Sequence, residues 1–172
     1  MSRIPAARTS LVRIGKTALV ATIALLMTLI ALGNLTNYDS NGAFVHHVLA
    51  MDTIFPGSHL LWRAITDPLA QAVAYDGIIA WESLCAIVGI AATARLARGL
   101  GSAERFAAAV PLAVAGLTMV LVLFGAGFLT IGSEWFLMWQ SSTWNGNEAA
   151  SRDFIFAGIT LLILLAPEPR TD

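Results

Sequence analysis

The sequence predicts an all-α polytopic membrane protein: a bundle of four transmembrane helices with a structured extracytoplasmic cap of short amphipathic helices. Two observations lead to this class. Hydrophobic residues make up 57% of the 172 residues and charged residues only 12%, whereas a soluble domain has about 25% charged residues. The apolar residues also form four long runs, and about 20 such residues are needed to cross a bilayer. We therefore expect a single integral membrane domain.

The four apolar runs differ in how sharply they are bounded. The predicted spans are residues 11–33, 69–97, 106–131 and 148–166, joined on the outer side by loops 34–68 and 132–147. Asp67 before Pro68 is a typical helix start. The fourth span is the weakest because its strictly apolar part begins only at Phe154. Arg152 and Asp153 should therefore lie at the membrane interface.

The first span also resembles a secretory signal peptide. A basic start precedes an apolar run that ends in the small residues Ala31 and Gly33, and such a pattern can be cleaved. The run is long for the apolar region of a signal peptide. We therefore expect it to be kept as a helix, and its removal would leave three spans in the same orientation.

The basic residues predict how the chain crosses the membrane. Eight of the ten Lys and Arg residues flank the helix ends on one side: Arg3, Arg8, Arg13, Lys16, Arg95, Arg98, Arg105 and Arg170. Only Arg63 and Arg152 fall in the other two loops. The positive-inside rule then places both termini in the cytoplasm. We therefore expect a multi-pass membrane protein with its N- and C-termini on the cytoplasmic side.

The outer loops have a helical and aromatic pattern. Phe44, Val48 and Met51 recur at helical spacing, and a second short amphipathic helix is predicted after the break at Pro56-Gly57. Aromatic residues are concentrated on the same side, and the candidate interface residues are Trp62, Trp135, Phe136, Trp139 and Trp144. They are typical of anchoring at lipid headgroups, and the alternative is a surface that binds a partner or a lipid.

Three stretches carry a specific resemblance. They are NYDSNGAFVHHVLAMDTIFPGSHLLWRAI (residues 37–65), AYDGIIAWESL (residues 74–84) and EWFLMWQSSTWNGNEAA (residues 134–150). They resemble a bacterial family of small integral membrane proteins known as domain of unknown function 2165. The resemblance implies a four-helix protein of the bacterial inner membrane with no established activity, and it assigns no catalytic or binding residue.

Glu82 is the most informative single residue. It falls in the middle of the second predicted span, where a bare carboxylate is costly and must be protonated, paired or facing water. The midpoints of the other spans fall near three threonines. The predicted buried polar layer therefore consists of Glu82, Ser83, Thr22, Thr118 and Thr160. The alternative is that each threonine hydroxyl bonds to its own helix backbone.

The remaining reactive side chains give little indication of a site. His46, His47 and His59 all fall in the first outer loop, so no span offers a histidine as an axial ligand for a b-type haem. They are weak candidates for a metal site, because neighbouring histidines on a helix point about 100° apart. We expect no metal and no cofactor. A net charge of −1 without a basic patch also argues against a nucleic-acid partner.

These observations leave three hypotheses about function. The favoured one is a non-enzymatic accessory or assembly subunit of a larger membrane complex, whose partners are membrane lipids and other membrane subunits or copies of itself. The second is an oligomeric transporter or proton-coupled carrier that uses Glu82. The third is a membrane enzyme that handles a quinone or a lipid. No complete catalytic constellation is recognisable, so an enzyme is the less favoured class.

Overall fold

The computed structural model describes residues 6–167, with side chains from residue 11 onward. Arg3, Arg170 and the side chain of Arg8 lie outside the described residues. Five α-helices make up most of the described chain, which contains no strand: α1 (Ala6–Thr36), α2 (Tyr38–Ala50), α3 (Pro68–Gly99), α4 (Ala103–Val122) and α5 (Asn147–Leu165). A π-helix, Leu123–Trp135, continues α4 directly, and we call it the π-segment.

Three of these helices are long and apolar enough to cross a membrane. They are Leu11–Thr36, Pro68–Gly99 and the continuous helix Ala103–Trp135. In contrast, α5 has 19 residues and carries Glu148, Arg152 and Asp153 in its first two turns. The protein is therefore all-helical with three candidate spans in the described residues, and α5 runs beside them.

The helices pack as antiparallel neighbours along the chain. Helix α3 lies between α1 and α4, and α5 packs against α4 and the π-segment. Glycine allows a close approach of α1 and α3, because a Cβ built on Gly89 would lie 2.9 Å from the Cβ of Ala24. The buried core includes Val20, Met27, Cys85, Leu96, Phe106, Leu117 and Ala157. Small residues thus bring the backbones together, as in other membrane helix pairs.

The two ends of the bundle differ in structure. One, the turn end, holds the short connection between α3 and α4, where Ser102 caps α4 by accepting a bond from Arg105 N. At this end Lys16 is 5% exposed and donates to the carbonyls of Leu164 and Ala166 at the end of α5. The other, the loop end, holds residues 37–67 and 136–146. The bond from Lys16 fixes the C-terminus of α5 at the turn end.

The segments of the loop end pack on one another. Helix α2 contributes Val45 and Leu49 to a second apolar cluster, which also contains Tyr75 and Phe136. Ile65 N donates to Leu49 O at 2.8 Å. Thr53 Oγ1 donates to Ser141 Oγ at 2.8 Å, which links the two long connections. Helix α2 is therefore held against α3 and the second connection.

The short helices of the loop end differ from those predicted. Helix α2 begins at Tyr38, and Asn37 at its start makes no side-chain capping bond. The expected second helix is only a 3-10 turn, Leu61–Arg63. It ends there because Ala64 is extended, which allows Ile65 N to reach Leu49 O.

Candidate functional site

A buried hydrogen bond joins a polar side chain of α1 to one of α3. Asn34 Nδ2 donates to Glu82 Oε2 at 2.6 Å. Glu82 is 2% exposed, and Asn34 is half-buried. A buried carboxyl group needs such a partner, because an unsatisfied polar group in an apolar interior is costly.

The position of this pair along the bundle follows from the register of the two helices. Gly89 faces Ala24, so Glu82, two turns nearer the loop end, lies level with Ala31. Helix α3 continues about 14 Å past the end of α1, at about 1.5 Å per residue. The middle of α3 therefore lies beside the third of α1 that is nearest the loop end, and not beside the middle of α1.

The structure does not bring the five residues of the predicted polar layer together. Thr22 lies on an exposed face about 14 Å from the level of Glu82, and its hydroxyl donates to Ala18 O. Thr118 is exposed and Ser83 is half-buried. Thr160 is 1% exposed, but its hydroxyl has no hydrogen-bond partner among the described residues. Asn34 takes the place that the threonines were expected to fill.

A second polar group lies above Glu82 at the loop end. Tyr75 shares the buried face of α3 with Glu82 and is 3% exposed, and its hydroxyl has no partner in residues 11–167. Its ring packs 4.7 Å from that of Tyr38. The Tyr38 hydroxyl donates to Asp76 Oδ1 at 2.8 Å. This hydrogen bond, followed by partial desolvation and the Asp76 charge, raises the pKa of Tyr38 above its usual value.

The predicted interface residues form several separate contacts at the loop end. Trp62 and Trp135 meet edge to face at 5.8 Å, and Arg63 Cζ lies 5.4 Å and 4.6 Å from their ring centroids. Trp62 is 70% exposed. Trp139 packs against Phe55. We call the first group, Trp62, Arg63 and Trp135, the tryptophan–arginine cluster.

Two of the predicted interface aromatics lie further inside. Phe136 is 6% exposed and belongs to the apolar cluster of the loop end. Trp144 is half-buried and stacks on His47 with ring centroids 4.6 Å apart. Both side chains therefore hold the loop end together, whereas Trp62, Trp135 and Trp139 remain accessible.

The adjacent histidines come closer together than helical geometry alone suggested. His46 Nδ1 bonds to Gln71 Oε1 at 2.6 Å, and His47 Nδ1 bonds to Asp52 Oδ2 at 2.7 Å. One ligand atom each from His46, His47 and Asp52 lie within 4.8 Å of one another. His59 is exposed and is not part of this group. The three donors are of the types that bind zinc, and the existing hydrogen bonds already orient both rings.

An apolar cavity of about 340 Å³ lies beneath α2. Its walls come from α2, α3 and the π-segment, and all twelve lining residues are apolar. It forms because the π-segment packs mainly against α5 and leaves a gap beside α3. The cavity shares Ile131 and Phe136 with a surface groove of about 510 Å³ that reaches Trp135 and Glu134.

Sequence reasoning missed three features of this region. Asn34 was placed in a loop because the first predicted span ended at residue 33, whereas α1 continues to Thr36. The π-segment was not expected, although Gly125, Gly127 and Gly132 lie within it. The third is a bond between α3 and α4: Trp81 Nε1 donates to the Met119 carbonyl at 3.2 Å, one turn before the π-segment begins. No helical periodicity in the sequence distinguishes a π-helix from an α-helix here.

Comparison with known proteins identifies the family and nothing more specific. No curated protein and no solved structure was found to match the chain. A family described as predicted small integral membrane protein (DUF2165) matches residues 12–167. That match covers α1 from its second turn to the end of α5, including Asn34, Glu82 and the whole loop end. The chain therefore belongs to the DUF2165 family of small integral membrane proteins.

Proposed function

We propose that this protein is a non-enzymatic accessory or assembly subunit of a larger complex in the bacterial inner membrane. In this proposal α5 is a fourth span and both termini are cytoplasmic. The single observation that carries the proposal is a groove of small residues between α1 and α3 on the outside of the bundle.

The arrangement of charges supports the proposed orientation. Arg13, Lys16, Arg95, Arg98 and Arg105 all belong to the turn end of the bundle. Basic residues next to membrane spans remain on the cytoplasmic side, so the turn end is cytoplasmic and the loop end extracytoplasmic.

The course of α5 supports a fourth span. The Asn147 side chain at its start donates to Ser133 Oγ at the loop end, and its last carbonyls bond to Lys16 at the turn end. Its 19 residues extend about 28 Å at about 1.5 Å per residue, close to the thickness of the hydrocarbon core. Asp153 is 5% exposed, and Arg152 Nε donates to it at 3.0 Å, which reduces the cost of both charges.

The groove is suited to a transmembrane helix of another chain. It measures about 420 Å³, and its lining residues are Ala21, Ala24, Leu25, Thr28, Ile90, Thr93, Ala94 and Ala97. Both threonine hydroxyls bond to their own helices, so a docking helix meets no unsatisfied polar group. Small residues at such a surface let two backbones approach closely, which drives helix association in lipid.

The test is the composition of the assembly in native membranes. A C-terminally tagged chain is extracted in mild detergent and weighed intact by native mass spectrometry. We expect a defined mass that contains other chains. Ala94→Phe, which fills the groove, should release the partner, and Ala80→Phe, on an exposed face of α3 outside the groove, should not. A monomer, or a homo-oligomer without other chains, would overturn the proposal.

The Glu82–Asn34 pair favours a second candidate, a proton-coupled carrier. A buried carboxyl group with one hydrogen-bond partner is a typical proton-binding group within a membrane. In reconstituted vesicles, Glu82→Gln should abolish proton-coupled solute uptake while keeping the bond with Asn34. Uptake that is unchanged in Glu82→Gln would remove Glu82 from any carrier mechanism.

A membrane enzyme that handles a quinone or lipid is the third candidate. The cavity beneath α2 is of suitable size, but its lining contains no acid, base or nucleophile. This composition supports binding of an apolar group in the cavity and not chemistry on it.

A further inference from the structure

The cavity beneath α2 has the properties of a site for a hydrocarbon chain. Its volume of about 340 Å³ falls within the usual range of ligand pockets, about 300–1,000 Å³. The wall is built from three elements, and the residues that define it are Val45, Leu49, Ala74, Ile78, Leu123 and Phe128. No polar side chain lines it, so water gains little by filling it.

The cavity also has room for more atoms. A Cβ built on Gly127, which lines the cavity, meets no atom within 4 Å. The empty volume therefore begins directly at the backbone of the π-segment. Since unfilled space forfeits dispersion contacts along its apolar walls, an apolar occupant would gain those contacts.

The cavity opens to the surface on the side of the tryptophan–arginine cluster. Ile131 and Phe136 line both the cavity and the groove of about 510 Å³, and Ile131 is 52% exposed. Trp135 lines the groove further out. Arg63 lies over the Trp135 ring and donates to Trp135 O at 3.4 Å. An apolar path therefore leads from the cavity to a cation.

Arg63 has unused capacity to bind an anion. Within residues 11–167 its guanidinium makes no ion pair with a carboxylate, and its hydrogen bond goes to a backbone carbonyl. Its Nε is buried and unpartnered, so a phosphate would bind the terminal Nη1 and Nη2. The other arginine of the loop end, Arg152, is bonded to Asp153 through two nitrogens. Glu134 also lines the groove, where it accepts a weak bond from Ser133. Arg63 is thus the available cation at the mouth, and guanidinium groups bind phosphate with two parallel bonds.

We propose that the cavity and Arg63 together bind one phospholipid of the outer leaflet. One acyl chain fills the cavity between α2, α3 and the π-segment. The phosphate bonds to Arg63 beside the two tryptophan rings. Both requirements of the ligand, a long apolar chain and a phosphate at its end, match the geometry of the path. The site is on a different face from the α1–α3 groove, so it can be occupied whether or not a partner subunit is bound.

The test uses purified, delipidated full-length protein and native mass spectrometry. Phosphatidylglycerol is titrated, and the fraction of protein carrying one lipid is measured. Gly127→Leu, which fills the cavity, should reduce that fraction about tenfold or more, because the acyl chain and the leucine compete for the same volume. Gly77→Leu is the matched control, since a Cβ at Gly77 also meets nothing and this residue is exposed outside the cavity. Its binding should equal that of the unchanged protein.

The phosphate contact is tested separately. Arg63→Gln should weaken binding of phosphatidylglycerol about tenfold, because a charge-assisted pair of bonds is lost. Diacylglycerol, which has no phosphate, should bind weakly to both proteins. Equal binding of diacylglycerol and phosphatidylglycerol, or full binding to Gly127→Leu, would overturn the proposal. Ala74→Leu fills the cavity from α3 and serves as the second variant if Gly127→Leu does not fold.

Discussion

Removing the amide of Asn34 should measurably destabilise the pairing of α1 with α3. In Asn34→Leu the carboxyl group of Glu82, which is 2% exposed, loses the partner that lies 2.6 Å away. Leaving a buried polar group unsatisfied costs about 1–3 kcal/mol. Hydrogen bonds between membrane helices average about 0.6 kcal/mol and reach about 1.7. Because the carboxyl group is almost fully buried, we expect a coupling near the upper figure.

A double-mutant cycle measures this coupling directly. Asn34→Leu, Glu82→Leu and the double variant are unfolded in mixed micelles by titration with a denaturing detergent, and the free energies of unfolding are compared. The two single changes should not add, with an interaction free energy of about 1–2 kcal/mol. Thr22→Val is the control. Its hydroxyl bonds only to its own helix, so its loss should change stability by less than about 0.5 kcal/mol. Strict additivity of the two changes would refute the pairing.

Three further predictions concern other parts of the bundle. Lys16→Met removes a buried cation from the last carbonyls of α5 and should cost about 1–3 kcal/mol in the same unfolding titration. Gly89→Leu forces α1 and α3 apart at Ala24, where even a Cβ would lie 2.9 Å away, and should cost about 1–3 kcal/mol. Asp76→Asn removes the charge that holds the Tyr38 proton, so the Tyr38 pKa should fall towards its usual value. Phenolate absorbance, recorded with the other tyrosine changed to phenylalanine, measures that shift.

The helical class and family could be predicted from the sequence because their physical signals are local. A run of about 20 apolar residues forms a helix in a bilayer, because its backbone groups must be hydrogen-bonded within the segment. A helix was therefore expected from residue 69, and α3 begins at Pro68. Asp67 accepts a bond from Ala70 N, as its position before Pro68 predicted. The resemblance in the loops was confirmed by the family match over residues 12–167.

The polar layer could not be predicted because it depends on how far each helix extends. The prediction assumed that the midpoints of all the spans lie at the same depth. Helix α3 extends past α1 at the loop end, so Glu82 lies beside Asn34 and far from Thr22 along the bundle. The position of Thr118 fails for a different reason, since its side chain faces outward. Which residues of two helices lie level, and which side chains face the partner, depend on both helices. When both faces of a helix are apolar, its own sequence gives only a weak amphipathic pattern.

The cavity beneath α2 could not be predicted from the sequence either. It exists because α4 changes from α-helix to π-helix at Leu123 and then follows α5. Thr130 Oγ1 bonds to Gly125 O, five residues earlier, as the wider π turn allows. Glycines in membrane helices also serve close packing, so Gly125 and Gly127 did not identify the change of helix type.

The length of α3 has a mechanical consequence for the molecule. It is a continuous rod of 32 residues, about 48 Å long at about 1.5 Å per residue, and it joins the loop end to the turn end without a break. A tilt of about 5° at one end would displace the other by about 4 Å over that length. A force applied to the loop end would therefore be transmitted along α3 to the arginines at the turn end.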